Sequence, residues 1–169
     1  MRYHRFTDRN THGFTLTELA VVLALFGIAA MLAWPRMNGI LADLYLRQTA
    51  NQLVRDIRFV QQQAMNNPSG GWKILFVTSQ VINGQHTNVQ KWSIYRFENG
   101  MSQTQNTRQL PAGFSYFGLT LNNKEIRFTE LGVPTSAGYV GIRNSLGHTL
   151  YVIVALVTGK VRIDTEPPE

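Results

Sequence analysis

Glu18 is the residue whose chemistry most needs accounting for. It stands five positions after Gly13 in the stretch Gly13-Phe14-Thr15-Leu16-Thr17-Glu18, and the apolar run Leu19 to Pro35 that follows carries no other charge. A helix from Phe14 to Trp34 at 1.5 Å per residue is about 31 Å long, close to the hydrocarbon thickness of a bilayer. A carboxylate inside such a span costs on the order of 3 kcal/mol, so it is protonated, paired or aimed at a protein partner, unless it snorkels from the helix end into the headgroups. Small residues in the run, Ala24, Gly27, Ala29, Ala30 and Ala33, permit close approach of another helix.

Residues 1–13 supply a possible cation. They hold Arg2, Arg5 and Arg9 against Asp8 and lack the apolar core of a secretory signal peptide. Were the chain cut after Gly13, the new amine of Phe14 would lie one helical turn from Glu18, at i,i+4, and a neighbouring copy could offer the same amine to the same carboxylate.

Other residues of chemical type are less well arranged. Ser145, His148 and Asp164 include the types of a hydrolase triad, but no Gly-x-Ser-x-Gly elbow accompanies them, and turns account for Ser145 and His148. His4, His12, His86 and His148 lack the spacing of a metal site, and no Walker lysine loop or dinucleotide fingerprint is present. Neither enzymatic activity nor a metal or other cofactor is expected, so any ATP hydrolysis belongs to a partner. Lys160 and Arg162, with Arg127 and Arg143 on nearby expected strands, suit a phosphate backbone, since alternate strand residues share a face. Solvated strand residues are the blander account of the same pattern.

The elements that position these residues follow from periodicity. Apolar residues Met37, Ile40, Leu41, Leu44, Ala50, Leu53, Ile57, Val60 and Ala64 recur at spacings of three and four, with a break near Arg47 and Gln48. One helix is therefore expected from Phe14 to about Asn66, with Pro35 kinking it as the chain leaves the membrane. Strands are expected at Trp72–Ile82, Val89–Phe97, Phe114–Leu121, Glu125–Phe128, Tyr139–Arg143, Leu150–Val157 and Lys160–Ile163. The first two read as antiparallel neighbours, and the next two as a hairpin turned at Asn122-Asn123. Tyr139–Arg143 and Leu150–Val157 read as a further hairpin. The fold class is α+β, a long N-terminal helix packed on an antiparallel β-sheet domain.

The chain is 169 residues long with no cysteine, which leaves room for one small domain beyond the apolar run, stabilised by its core alone. Its net charge of +6 falls to +4 once Arg2, Arg5, Arg9 and Asp8 are removed with residues 1–13. That charge is too mild to identify a partner.

The segment Gly13 to Glu18 with its apolar helix resembles the class III signal of type IV prepilins and pseudopilins. The resemblance implies cleavage by prepilin peptidase between Gly13 and Phe14, N-methylation of Phe14, subunit alignment through Glu18, and a helix proline at the twenty-second mature position, Pro35. It further implies residues 1–13 as leader, 14–35 as membrane and filament-core helix, 36–67 as its amphipathic continuation, and 68–169 as the outer domain. The basic leader places the N-terminus in the cytoplasm and the domain beyond the inner membrane. The implied partners are lipid before assembly, other pilin or pseudopilin subunits, and an inner-membrane platform with a separate ATPase.

Ile126-Arg127-Phe128, Gly132-Val133-Pro134, Gly147 and the strand leading into Thr158-Gly159-Lys160-Val161-Arg162 resemble the C-terminal region of H-type pseudopilins and FimT-like minor pilins. DNA-binding members of the latter carry Gly-Arg-x-Arg where this chain has Gly159-Lys160-Val161-Arg162. DNA is therefore a candidate partner, although lysine lacks the bidentate fork of arginine. The lack of cysteine leans towards a minor pilin or pseudopilin, since major pilins commonly close a C-terminal disulfide loop.

Overall fold

A computed structural model describes residues 15–67, 71–82, 85–98 and 100–168, apart from the side chains of 33–36, 81–82 and 86. Among the described residues there is one α-helix, α1, which runs Leu16–Asn66 and contributes to two compact units, Met1–Asn38 and Gly39–Glu169.

In the first unit the helix has no core of its own to cover. Leu16, Leu19, Leu23, Leu25, Phe26, Ile28, Met31 and Leu32 are all exposed, and a Cβ at Gly27 would meet nothing within 4 Å. Among the described residues no single helix is long and apolar enough to cross a membrane. Leu16–Leu32 and Met37–Asn66 pass that test only as a pair across a break. The apolar stretch Leu16–Leu32 rises about 26 Å by itself, somewhat short of the hydrocarbon core. Pro35 falls between the two stretches, where side chains lie outside the described residues, as do Gly13 and Phe14.

The second unit has a core. Leu46, Ala50, Leu53, Val54, Ile57, Val60 and Ala64 of α1 are buried in one cluster with both sheets. The first sheet has order β5-β4-β1-β7, from β1 (Gly71–Val77), β4 (Lys91–Glu98), β5 (Met101–Gln109) and β7 (Glu125–Arg127). The second has order β10-β9-β8-β6, from β6 (Ser115–Leu119), β8 (Gly138–Arg143), β9 (Thr149–Val154) and β10 (Val161–Asp164). The remaining strands, β2 (Gln80–Ile82) and β3 (Gln85–Thr87), form a separate hairpin.

Period-two burial explains the first sheet: Trp72, Ile74 and Phe76 of β1 turn inward between half-exposed neighbours. β9 is different, with Tyr151, Val152, Ile153 and Val154 all buried, because β9 lies between β10 and β8 and Tyr139 packs edge-on against Tyr151. β6 runs close over β8 at Gly141, where a Cβ would lie 1.8 Å from the Phe117 carbonyl oxygen, so only glycine fits there.

Several expectations are corrected. Phe114–Leu121 and Glu125–Phe128 do not form a hairpin: β6 pairs with β8 and β7 with β1, in different sheets. The expected strand Trp72–Ile82 ends at Val77, and Gln80–Ile82 turns back on β3. Leu150–Val157 ends at Val154 because the chain closes a tight turn, with Gly159 N–H donating to the Ala155 carbonyl at 3.0 Å. β5 has no counterpart among the expected strands, since its residues are polar and almost all exposed and so show no alternation. On α1 the buried stripe starts at Leu46, leaving Ile40, Leu41 and Leu44 exposed. The neighbouring pairs β1 with β4 and β8 with β9 stand as expected.

A buried carboxylate fixes α1 to the first sheet. Asp56 Oδ2 accepts from Trp92 Nε1 and Arg108 Nε, both at 2.8 Å, and Oδ1 accepts from Gln52 Nε2 at 2.9 Å. Every donor comes from α1 or from the paired residues Trp92 and Arg108 of β4 and β5.

Candidate functional site

The helix start carries the first candidate group. Thr15 Oγ1 accepts the backbone N–H of Glu18 at 3.2 Å, while the Thr15 carbonyl accepts the N–H groups of Glu18 and Leu19, each at 3.1 Å. Thr15 is thus the N-cap and Glu18 the third helical residue, the spacing Thr-x-x-Glu of a capping box, with the carboxylate in the positive first turn of the helix dipole. The sequence signal for this local role is the spacing Thr15-Leu16-Thr17-Glu18 itself. The Glu18 carboxylate is exposed and makes no side-chain bond among the described residues. The cap uses its N–H and leaves the carboxylate oxygens free for a partner.

The second candidate lies on the outer face of the second sheet. Arg162 pairs in register with Ile153, and Ile153 with Tyr139. These residues, with Lys160, Ala155 and Pro168, line an open cleft of about 600 Å³. Arg162 reaches Asp164 at 3.7 Å and is otherwise solvated. Gly159 has φ +62°, and a Cβ there would lie 2.8 Å from the Gly132 carbonyl oxygen. In Gly159-Lys160-Val161-Arg162 the glycine therefore serves the turn and the two cations serve the cleft.

The other expected cations are elsewhere. Arg143 lies 3.4 Å over the Phe117 ring and donates to Thr149 Oγ1 at 3.2 Å, while Arg127 pairs with Glu125 at 2.7 Å on the other sheet. The structure thus brings together Lys160 and Arg162 and separates them from Arg127 and Arg143.

Ser145, His148 and Asp164 do not assemble. His148 Nδ1 bonds Asp43 Oδ1 at 2.7 Å, and Asp164 faces Arg162. Asn144 donates to the same Asp43 oxygen at 2.9 Å and accepts the N–H groups of Leu146 and His148, both at 3.0 Å, so the β8–β9 turn is tied to α1. The bond from His148 holds the Asp43 carboxyl below its ordinary value. Among the described residues no three His, Cys, Asp or Glu side chains form a group able to hold a metal ion.

Residues 8–34 match the prokaryotic N-terminal methylation motif. Over 153 residues the chain is 28% identical to the competence protein ComGD of Bacillus subtilis (strain 168), covering 90% of this chain and 92% of that protein. The chain thus carries a prokaryotic N-terminal methylation motif and is similar along most of its length to ComGD. The matched residues contain Gly13, Phe14 and Glu18, and the similarity to ComGD extends across the β-sheet domain. No solved structure matches the chain. The pilin motif implies processing by prepilin peptidase and assembly with other pilins, and the apolar helix suits membrane anchoring.

Proposed function

We propose that this chain is made as a precursor, cut between Gly13 and Phe14, N-methylated at Phe14 and drawn from the inner membrane into a type IV pilus or a type II secretion pseudopilus. Its N-terminus faces the cytoplasm before cleavage, and its domain lies outside. A separate ATPase on the assembly platform supplies the work. Pro35 kinks the helix where it leaves the bilayer. In this reading the pattern of the β-rich region resembles that of H-type pseudopilins and FimT-like minor pilins.

The observation that carries this reading is Glu18 itself: an exposed carboxylate next to exposed apolar side chains, with no side-chain partner among the described residues. Burying those side chains against other subunits replaces lipid by protein at little cost, and pairing Glu18 with a neighbour's Phe14 amine offsets the cost of burying the charge and sets the axial register. Intact mass and N-terminal sequencing of membrane-extracted protein, with and without a prepilin peptidase, provide the test. An N-methylated Phe14 start is expected, and an uncut Met1 start in the presence of the peptidase would remove the reading.

A second reading, a DNA-binding minor pilin for natural transformation, draws on the cleft holding Lys160 and Arg162 and on a relative named as a competence protein. If both cations contact phosphates, replacing both by alanine weakens binding and flattens its salt dependence by about two units of slope. Binding unchanged in the double variant would exclude this site.

A further inference from the structure

β5 is the longest of the described strands, nine residues, and it forms an edge of the first sheet. All of its residues except Arg108 are exposed, and it contains neither proline nor lysine. The register shift opposite Ile94 and Tyr95 leaves Gln105 without a partner residue, and beyond it Asn106–Gln109 pairs without a break with Lys91–Ile94. Just past the strand, Leu110 N–H donates to the Gln90 carbonyl at 2.8 Å. Antiparallel pairing alternates, so the main-chain groups of Arg108 and Asn106 also face β4 while those of Thr107 and Gln109 face outward. Such a row of free groups is a template for one more strand.

Two grooves separate this run from α1. One, of about 460 Å³, lies between Tyr45 and Gln48 of the helix and Thr107 and Gln109 of the strand. The other, of about 390 Å³, lies between Arg55 and Phe59 of the helix and Gln105 and Asn106 of the strand. They meet at Gln52 and Arg108, which line both. Tyr45, Gln48, Gln52, Arg55 and Phe59 follow one another at spacings of three and four, so one helix face walls both grooves. Tyr45 and Phe59 are large and exposed, and Arg55 has no ion-pair partner among the described residues.

We infer that β5 receives an extended segment of a different subunit as a fifth strand of the first sheet. Main-chain bonds to Thr107 and Gln109 would hold it, and two apolar side chains two residues apart, about 7 Å along the strand, would enter the grooves against Tyr45 and Phe59. A carboxylate on the same segment complements Arg55. The β5 of a second copy, the one edge of equal length among the described residues, would bring its own Asn106 and Arg108 to the grooves instead, so the occupant is another chain. Tyr45 shares a helix face with exposed Leu41 one turn earlier, and in the filament reading side chains left uncovered there lie against adjoining subunits. The inference rests on that reading and names a partner contact for it: a strand of an adjoining, different pilin.

The test places the photo-crosslinker p-benzoylphenylalanine at Thr107 or at Gln109 of the full-length chain in cells that assemble the filament, with Leu146 on the β8–β9 turn as control position. Mass spectrometry of the adducts should find one segment of another subunit that carries an N-terminal methylation motif. The attachment points from positions 107 and 109 should fall two residues apart on that segment, and position 146 should not reach it. Adducts with a second copy of this chain, or attachments scattered over several segments, would overturn strand addition. Gln109→Pro removes one outward N–H and spares the bonds to β4, so it should lower the adduct yield from position 107 about fivefold with the melting temperature unchanged. Tyr45→Ala, which leaves β5 untouched, should lower it by a similar factor, and undiminished yield in either folded variant would also overturn the contact. Filaments that hold this chain without adducts sink the contact and leave the filament reading standing, whereas a chain that keeps Met1 and enters no filament sinks both.

Discussion

Two stretches of the same helix treat their side chains in opposite ways. Between Leu16 and Leu32 the large apolar residues are exposed and the one carboxylate, Glu18, has no side-chain partner among the described residues. Between Leu46 and Ala64 an apolar stripe is buried, and the carboxylate of Asp56 accepts hydrogen bonds from Trp92, Arg108 and Gln52. The second stretch completes its own domain. The first leaves its apolar surface open, and in the proposed filament other subunits would supply its cover.

That contrast predicts a clean separation of phenotypes. The largest effect is expected from Glu18→Ala, which should lower incorporation into filaments by at least about tenfold, the worth of one desolvated charge pair. The unfolding temperature of the domain should stay unchanged. Quantitative blotting of sheared filaments beside a thermal melt of the detergent-solubilised chain reads both, and normal incorporation would break the comparison. Conversely, Asp56→Ala should cost about 3 kcal/mol by leaving Trp92 and Arg108 without their acceptor, while cleavage after Gly13 proceeds as in the parent. Gln61→Ala should cost about 1 kcal/mol, by removing the donor to the Gly132 and Gly159 carbonyls.

The smallest effect should be a dependence on pH. Burial raises the Glu125 carboxyl, but hydrogen bonds from Lys73 and Arg127 outweigh it and hold the group below its ordinary value, as the His148 bond does for Asp43. Groups lowered in the folded state contribute stability that is present above the unfolded carboxylate value, about 4, and is lost as pH falls through the folded value. Melts should therefore weaken in acid below about pH 4, and Glu125→Gln should blunt the slope. An unaltered slope would show that Glu125 is not among the groups responsible.

The helix was legible because its signals are strong: a charge-free apolar run, then spacings of three and four as far as Asn66. The second sheet was legible where β-branched residues cluster, as in Leu150-Tyr151-Val152-Ile153-Val154. Pairings set by distant parts of the chain were not. Glu125–Arg127 looks like the return arm of Ser115–Leu119 because local sequence offers the Asn122-Asn123 turn, yet its partner is β1, about fifty residues earlier. β5 escaped notice because an exposed edge strand needs no apolar residues to exist. Asp56 lies off the apolar spacing of the helix, and only the register that places Trp92 beside Arg108 shows why a carboxylate belongs in the core. At the candidate sites, Gly13 to Glu18 and the pair Lys160 and Arg162 stood out by type and spacing. The cap at Thr15 was legible in principle, whereas the dispersal of Arg127 and Arg143 depended on the sheet order.

β5 carries one charged residue, Arg108, and that guanidinium is bound to Asp56. The edge therefore keeps no free charge of its own to discourage a stray strand, and its main irregularity is the register shift opposite Ile94 and Tyr95. Loosening α1 would release Arg108 from Asp56, so the edge gains a free charge only once the helix has left it, and while the helix is seated the register shift is what sets this strand apart from a flat template.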